Sequence, residues 1–176
     1  MRQVSNAERI ELFMRELGAE ARVDVTLYFT GGATAVLLGW RETTIDVVIR
    51  FLPETDRLYR AIPSLKERLQ INVELASPSD FIPEIPGWQD RSLLITREGK
   101  ISYYHYDLYA QALAKVERHH AQDVLDVREM INRAHIDPEK ALEYLGAIEP
   151  NLHKYPAIDP STFRRSAEEI FGKGGK

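Results

Sequence analysis

The stretch "YFTGGATAVLLGWRETTIDVVIRF" (28–51) decides the fold of this chain. Two glycines, Gly31 and Gly32, separate a β-rich run from the short apolar segment "ATAVLLG", which predicts a helix ended by glycine. The residues that follow, "TIDVVIRF" (44–51), are nearly all β-formers and predict a buried central strand. We therefore expect a strand, a sharp turn, a helix and a second strand that carries the single acid Asp46.

The glycine pair permits a sharp turn and lets a ligand approach the backbone closely. The free N–H groups at the start of the next helix favour an anion at that spot, and Thr30 and Thr34 add hydroxyl groups. Arg41, Thr44 and Asp46 follow shortly afterwards in the chain. The pattern predicts a phosphate-binding turn or, as the plainer alternative, an ordinary strand-to-helix junction in which Asp46 pairs with a nearby arginine.

Length, charge and composition narrow the class of protein. The chain has 176 residues, which suffices for one domain with a real core or for a small core with a helical appendage. It has no cysteine, which excludes disulfides, thiol catalysis and cysteine-ligated zinc. The net charge of -4 gives no general attraction to nucleic acid or anionic membranes. We find neither a signal peptide nor a long apolar run, so we expect a cytoplasmic protein with no membrane partner.

Hydrophobic periodicity assigns most of the remaining chain. Strands are predicted at 23–29 and 71–76, and a hairpin is predicted across 91–107 with "REGK" as its turn. The proline-rich segment 77–88 is predicted to be a loop. Helical spacing occurs in six segments, of which the second is expected to be interrupted near Pro63: 5–18, 55–70, 107–118, 121–134, 138–148 and 160–171.

This order of elements predicts an α+β fold: a small mixed β-sheet of about five strands flanked by helices, with a C-terminal helical segment. We place the boundary between an α+β core, residues 1–106, and the helical segment, residues 107–176, and expect the two to form one compact unit. The final "GKGGK" is expected to fray.

The Gly-Gly turn, the Leu-rich helix and the acidic strand together resemble the nucleotidyltransferase superfamily, which has the DNA polymerase beta-like fold. The variant resembles most the minimal, AbiEii-like bacterial nucleotidyltransferases, which occur as toxins or as uncharacterised proteins. A second block, "LAKVERHHAQDVLDV" (113–127), is similar to the Lys-x-x-Arg and Asp-x-x-Asp helix of those proteins. The two blocks cover about residues 23–75 and 113–127 and occur in the order that the family has.

The resemblance implies Mg2+-dependent transfer of a nucleotide from a nucleoside triphosphate to an RNA, protein or small-molecule acceptor. It implies that Asp46 and Glu74 bind the metal, and that Lys115 and Asp123 join them as catalytic residues. The nucleotide-binding residues that it implies are Gly31, Gly32, Thr34, Arg41, Thr44, Lys115 and Arg118.

Two positions depart from the family pattern. The family has Asp-x-Asp on its acidic strand, but here Val48 stands at the second acidic position. Gln122 is the second departure, because the family often has a basic residue just before the acid that corresponds to Asp123. Glu74, by contrast, falls where the third carboxylate of the family lies. Two functions therefore stay open: a nucleotidyltransferase, active or reduced in activity, and a catalytically degenerate protein that binds a nucleotide or a partner, such as the antitoxin of a toxin–antitoxin pair.

Two further groups of residues have plainer alternatives. Tyr103, Tyr104, Tyr106 and Tyr109 surround His105 and predict either side-chain packing or a platform for a base or ribose. Likewise, the charged residues of the second block predict either phosphate contacts or a network of salt bridges on the surface.

Overall fold

The computed structural model describes residues 3–172, which form two compact units. The first unit contains residues 3–77 and 92–106, and the second contains residues 78–91 and 107–172. The division after Tyr106 falls where the sequence changes to helical spacing, but residues 78–91 belong to the second unit. Apart from Gly172, the C-terminal "GKGGK" lies outside the described residues.

A five-stranded mixed sheet forms the centre of the first unit, in the order β3-β2-β1-β5-β4. β1 is antiparallel to β2 and parallel to β5, whereas β2 is parallel to β3 and β4 forms a hairpin with β5. The α+β class, the mixed sheet and the hairpin are therefore as predicted. The strands are β1 (Val25–Thr30), β2 (Asp46–Leu52), β3 (Asn72–Leu75), β4 (Leu93–Glu98) and β5 (Ile101–His105).

Three helices, α1 (Ala7–Gly18), α2 (Gly32–Leu38) and α3 (Asp56–Leu69), share one hydrophobic core with the sheet. The burial of β2 alternates along the strand, with Val47 and Ile49 completely buried. This alternation places one face of β2 in the core and leaves Asp46, Val48 and Arg50 on the other face, because successive side chains of a strand point to opposite sides.

Helix α3 continues through Pro63, so the expected interruption there is wrong. A proline inside a helix removes one backbone hydrogen bond. Here the flanking residues Ile62 and Leu65 are buried and hold the helix against the core, while Pro63 itself is exposed. The helix begins at a side-chain cap, since the hydroxyl of Thr55 accepts a hydrogen bond from the backbone N–H of Leu58.

The second unit is helical in the described residues, and its four long helices lie where the sequence predicts them. Residues 77–88, predicted as a loop, contain a short 3-10 turn (Pro78–Asp80) and lead into a short helix that begins at Trp88. Tyr155 donates a hydrogen bond to the carbonyl oxygen of Ser79 at 2.9 Å, which ties the segment to this unit. The helices are α4 (Trp88–Arg91), α5 (Leu108–Arg118), α6 (Ala121–Asn132), α7 (Pro138–Ile148) and α8 (Pro160–Phe171).

Across residues 3–172, each helix falls short of the length and apolar character that crossing a membrane requires.

Candidate functional site

The glycine turn between β1 and α2 needs both of its glycines, for different reasons. Gly31 has φ of 68°, a backbone conformation that favours glycine, and a side chain there would meet no atom within 4 Å. No such open space exists at Gly32, because a Cβ atom there would lie 1.9 Å from the Oγ1 atom of Thr44. The first glycine therefore provides the turn and the second allows close packing against Thr44.

Several residues that the sequence singles out meet at this turn. The Nη2 atom of Arg41 lies 3.3 Å from the position that a Cβ atom of Gly32 would take. The hydroxyl of Thr44 donates a hydrogen bond to the carbonyl oxygen of Asp46 at 3.0 Å. Thr30, the last residue of β1, pairs with Val48 near the start of β2. The glycine turn and Asp46 therefore lie at the same edge of the sheet, which we call the glycine-turn edge.

Asp46 and Glu74 lie on the same face of the sheet. The parallel register of β2 and β3 places Asp46 opposite Asn72 and Val48 opposite Glu74. The side-chain amide of Asn72 donates a hydrogen bond to the carboxylate of Asp46. Val48 therefore lies directly between Asp46 and Arg50 along this face, with the exposed Glu74 beside it.

The donor set at this edge suits one divalent ion better than two. Among the described residues, no group of three or more acidic, histidine or cysteine side chains could hold a metal ion. Mg2+ keeps several water or phosphate ligands and needs only one or two carboxylates from the protein. Asp46 and Glu74 are two carboxylates at this edge, on neighbouring strands and on one face, offset by two residues in the register.

Thr34 lies away from the open side of the turn. It is completely buried, its hydroxyl donates to the carbonyl oxygen of Phe29 at 3.4 Å, and it lies 3.0 Å from Nδ1 of the buried His105. The structure therefore gives Thr34 a packing role between α2 and β5.

Tyr103 and Tyr104 of β5, and Tyr106 just after that strand, contact other residues of the first unit. Tyr103 is fully buried and its hydroxyl donates to the carbonyl oxygen of Met14 at 2.7 Å. Burial, with a smaller contribution from the charge of Glu98, raises the pKa of Tyr103. Tyr104 and Tyr106 contact Tyr28, and both pairs of ring centroids are 5.8 Å apart.

Four charged residues of the second unit form what we call the charged network. The ammonium group of Lys115 donates to Asp126 at 2.9 Å and lies 3.6 Å from Asp123. The guanidinium group of Arg118 donates to both carboxylate oxygens of Asp123, at 2.8 and 2.6 Å. Lys115, Asp123 and Asp126 are 7%, 1% and 0% exposed, whereas the side chain of Arg118 is 60% exposed, so the network is buried except at Arg118.

The pKa of Asp123 reflects these partners. Burial alone would raise that pKa, but the hydrogen bonds from Arg118 and the positive charge of Lys115 outweigh burial and lower it. The hydrogen bond to Asp123 in turn raises the pKa of Arg118. Asp123 also accepts from the backbone N–H of His120 at 3.2 Å, and Gln122 donates to Asp126 at 3.0 Å. The network therefore joins α5 to the beginning of α6 within the second unit.

Asn72 is a residue of the glycine-turn edge that the sequence does not single out. The signal that could have found it is its place at the start of the third strand, because parallel strands begin at the same edge of a sheet and so bring Asn72 beside Asp46.

No protein-family model matches the chain, and no curated protein or solved structure is similar to it. A function for the chain therefore has to be argued from the geometry of its own residues.

Proposed function

We propose that the first unit binds a magnesium-bound nucleoside triphosphate at the glycine-turn edge, and that the chain is a nucleotidyltransferase with a slow transfer step. The observation that carries this proposal is the meeting of the glycine turn, a guanidinium group and a carboxylate at one edge of the sheet. The Cβ position of Gly32 lies 1.9 Å from Oγ1 of Thr44 and 3.3 Å from Nη2 of Arg41. The hydroxyl of Thr44 donates to the backbone carbonyl of Asp46.

The residues at this edge suit the parts of a triphosphate. The backbone at Gly31 is accessible to a phosphate group, since the space where a side chain would lie is open. Arg41 offers guanidinium donors that match phosphate oxygens in geometry and charge. Asp46 and Glu74 would hold one Mg2+, which when bound supplies neutralisation of the phosphate charge. Together these groups would hold the α-phosphorus still while an acceptor approaches.

The transfer step needs no covalent intermediate on the protein. The hydroxyl oxygen of an RNA, protein or small-molecule acceptor forms a bond to the α-phosphorus, and the bond from that phosphorus to the bridging oxygen breaks. Pyrophosphate leaves, and the hydroxyl proton passes to solvent. Val48 makes this step slow, because its apolar side chain occupies the place of a carboxylate and removes a full negative charge from the site.

The proposal is tested by changing the charge at one position of β2. Val48→Asp should raise the affinity for Mg2+ in the presence of nucleoside triphosphate about tenfold, because the new carboxylate lies on the face of Asp46. It should also raise the rate of transfer, whereas Asp46→Ala should abolish metal-dependent binding. Calorimetric titration with each nucleoside triphosphate, with and without Mg2+, and release of pyrophosphate measure the two effects.

Leu52→Asp is the matched control. Leu52 is on the same face of β2 as Val48 but at the other end of the strand, so a carboxylate there adds the same charge away from the glycine turn. It should leave the affinity for Mg2+ unchanged. Equal effects of the two substitutions would show that general charge, rather than the site, governs binding, and would contradict the proposal.

A second function is favoured by the hydrogen bond between Asn72 and Asp46. The carboxylate of Asp46 already accepts this bond, and Val48 offers no other acid beside it. The chain would then be a catalytically degenerate nucleotidyltransferase that binds a nucleotide or a protein partner, such as an antitoxin, without turnover. Failure of both Val48→Asp and Asn72→Ala to change metal or nucleotide binding would favour this second function over the first.

A further inference from the structure

Strand β3 lies at an edge of the sheet, and within residues 3–172 it pairs with β2 alone. The backbone N–H of Ala76 donates to the carbonyl oxygen of Ile49 at 3.0 Å, so the backbone groups of Ala76 point towards β2. Because these groups alternate between the two sides of a strand, those of Glu74 also point towards β2. The N–H and C=O groups of Val73 and Leu75 therefore point outwards from the sheet.

A groove runs beside this edge, between β3 and α3 of the same unit. Its volume is about 700 Å³, and its apolar walls include Tyr59 and Ile62 from α3 and Val73 and Leu75 from β3. Tyr59 is 37% exposed and Leu75 is 49% exposed, so apolar surface is accessible from the side where a further strand would lie. Such a strand would place every second side chain over this groove.

The opposite face carries polar and charged side chains, with Arg50 on β2 and the acid Glu74 on the edge strand β3. Asn72 and Glu74 point to that face, and Glu74 is exposed. The remaining side chains of an added strand would lie beside these two residues. Lysine or arginine at those positions would be complementary to Glu74, whereas an acidic residue would be repelled.

From these three observations we infer that the edge of β3 binds an extended segment of a partner protein as an additional strand, in which apolar residues alternate with lysine or arginine. The outward N–H and C=O groups of Val73 and Leu75 supply the backbone hydrogen bonds, the groove takes the apolar side chains, and Glu74 selects the basic ones. This binding requires neither nucleotide nor metal, although it shares Glu74 with the metal site of the proposed function.

The first test is an NMR titration of the full chain with a peptide of about seven residues that alternates valine and lysine, a length typical of a strand. EDTA in the solution removes any contribution from divalent ions at Glu74. We expect the amide signals of Val73 and Leu75 to shift and their hydrogens to exchange more slowly. A peptide with the same residues in two blocks, and one that alternates valine and glutamate, should bind much more weakly. Equal binding of all three peptides would overturn the inference.

N-methylated peptides give a control that leaves the protein unchanged. Methyl groups on the peptide nitrogens that face β3 should weaken binding about tenfold or more, because each removes a hydrogen bond. The same number of methyl groups on the alternate nitrogens should have little effect. Loss of binding with both patterns, or with neither, would contradict addition of a strand.

Leu75→Pro tests the backbone hydrogen bonds to the added strand from the protein side. It removes the outward N–H of residue 75 and keeps the bonds between β3 and β2, a position at which a sheet edge tolerates proline. A folded Leu75→Pro chain should no longer bind the alternating peptide. If light scattering instead shows a dimer of the wild type that this substitution dissociates, the occupant of the edge is a second copy of the chain and our inference about the partner is wrong.

Discussion

The glycine-turn edge of the first unit and the charged network of the second unit contain similar residues in different surroundings. Asp46 is half-buried and Glu74 is exposed, whereas Asp123 and Asp126 are almost completely buried. In the network, the two acids are matched by Lys115 and Arg118 within the same unit. The resemblance to nucleotidyltransferases assigns a role at a nucleotide to residues of both regions. In the structure, the residues of the two regions have different partners. Substitutions in the two regions are therefore expected to have different effects.

Burial explains why the two regions should respond differently. Removing one member of a buried ion pair leaves the other charge without compensation and costs about 3–5 kcal/mol. Removing an exposed acid costs little, because water already solvates it. Substitutions in the network should therefore change stability first, and substitutions of the acids at the glycine-turn edge should change ligand binding first. Three measurements test this difference, in order of decreasing expected effect.

Lys115→Met should lower the free energy of unfolding by about 3–5 kcal/mol, because it leaves the buried carboxylate of Asp126 without its ammonium partner. Urea unfolding measures the change, and Lys140→Met is the control because Lys140 is exposed on α7. The double variant Lys115→Met with Asp126→Leu should recover part of the loss. Unchanged stability together with lost nucleotide binding would show that Lys115 acts on the nucleotide, as the resemblance implies.

Gly32→Ala should destabilise the chain by about 1–3 kcal/mol, because the new Cβ atom would collide with Thr44 and force the glycine turn to move. Gly146→Ala is the control. Gly146 lies inside α7 with no atom within 4 Å of its Cβ position, so alanine there should stabilise the chain by about 0.5–1 kcal/mol. Thermal or urea unfolding of both variants checks the difference in sign. A Gly32→Ala variant as stable as the wild type would contradict the tight packing of the glycine-turn edge.

The loss of stability as the pH is lowered, the acid limb of the curve of stability against pH, should depend in part on the ionisation of Asp123. Its pKa in the folded chain is below the ordinary value of 3.8, so its stabilising effect is fully present above that pH and is lost as the pH falls through the lower value. Asp123→Asn should therefore be less stable than the wild type near neutral pH, and the difference should shrink below about pH 3.8.

This effect should be the smallest of the three, because the side chain of Arg118 is 60% exposed and its charge is partly screened by water. Urea unfolding at several pH values measures it. Asp90→Asn, which removes one carboxylate at an exposed position, is the control. A constant difference between wild type and Asp123→Asn at every pH would show that shape rather than charge matters at this position.

Much of the first unit could be predicted from the sequence because its signals are local. The glycine pair, Arg41, Thr44 and Asp46 lie close together in the chain, and composition alone marks the strands on either side of the turn. The burial of Thr34 could not be predicted in this way. It depends on His105, which is 71 residues further along the chain and comes beside α2 only because β5 lies parallel to β1.

The segment 78–91 shows the same limit. The prolines and the glycine of residues 77–88 predict a loop but give no information about the unit to which the loop belongs. The contacts that decide this are distant in sequence: Ser79 with Tyr155, and Arg91 with Asp107, whose ion pair measures 2.8 Å. Pro63 predicts an interruption of α3 that does not occur. The helix continues because burial of the neighbouring residues outweighs the loss of one hydrogen bond.

The order of strands has a consequence for synthesis on the ribosome. When residues up to 77 have left the exit tunnel, β1, β2 and β3 are available, but the side of β1 that will pair with β5 still has no partner. The chain must then add residues 78–91, which belong to the other unit, before the hairpin emerges and covers β1. At the usual pace of about 5–20 residues per second, this leaves a strand edge open for seconds. We expect nascent chains stalled within this segment to aggregate or recruit chaperones, and chains extended beyond β5 to be protected from both.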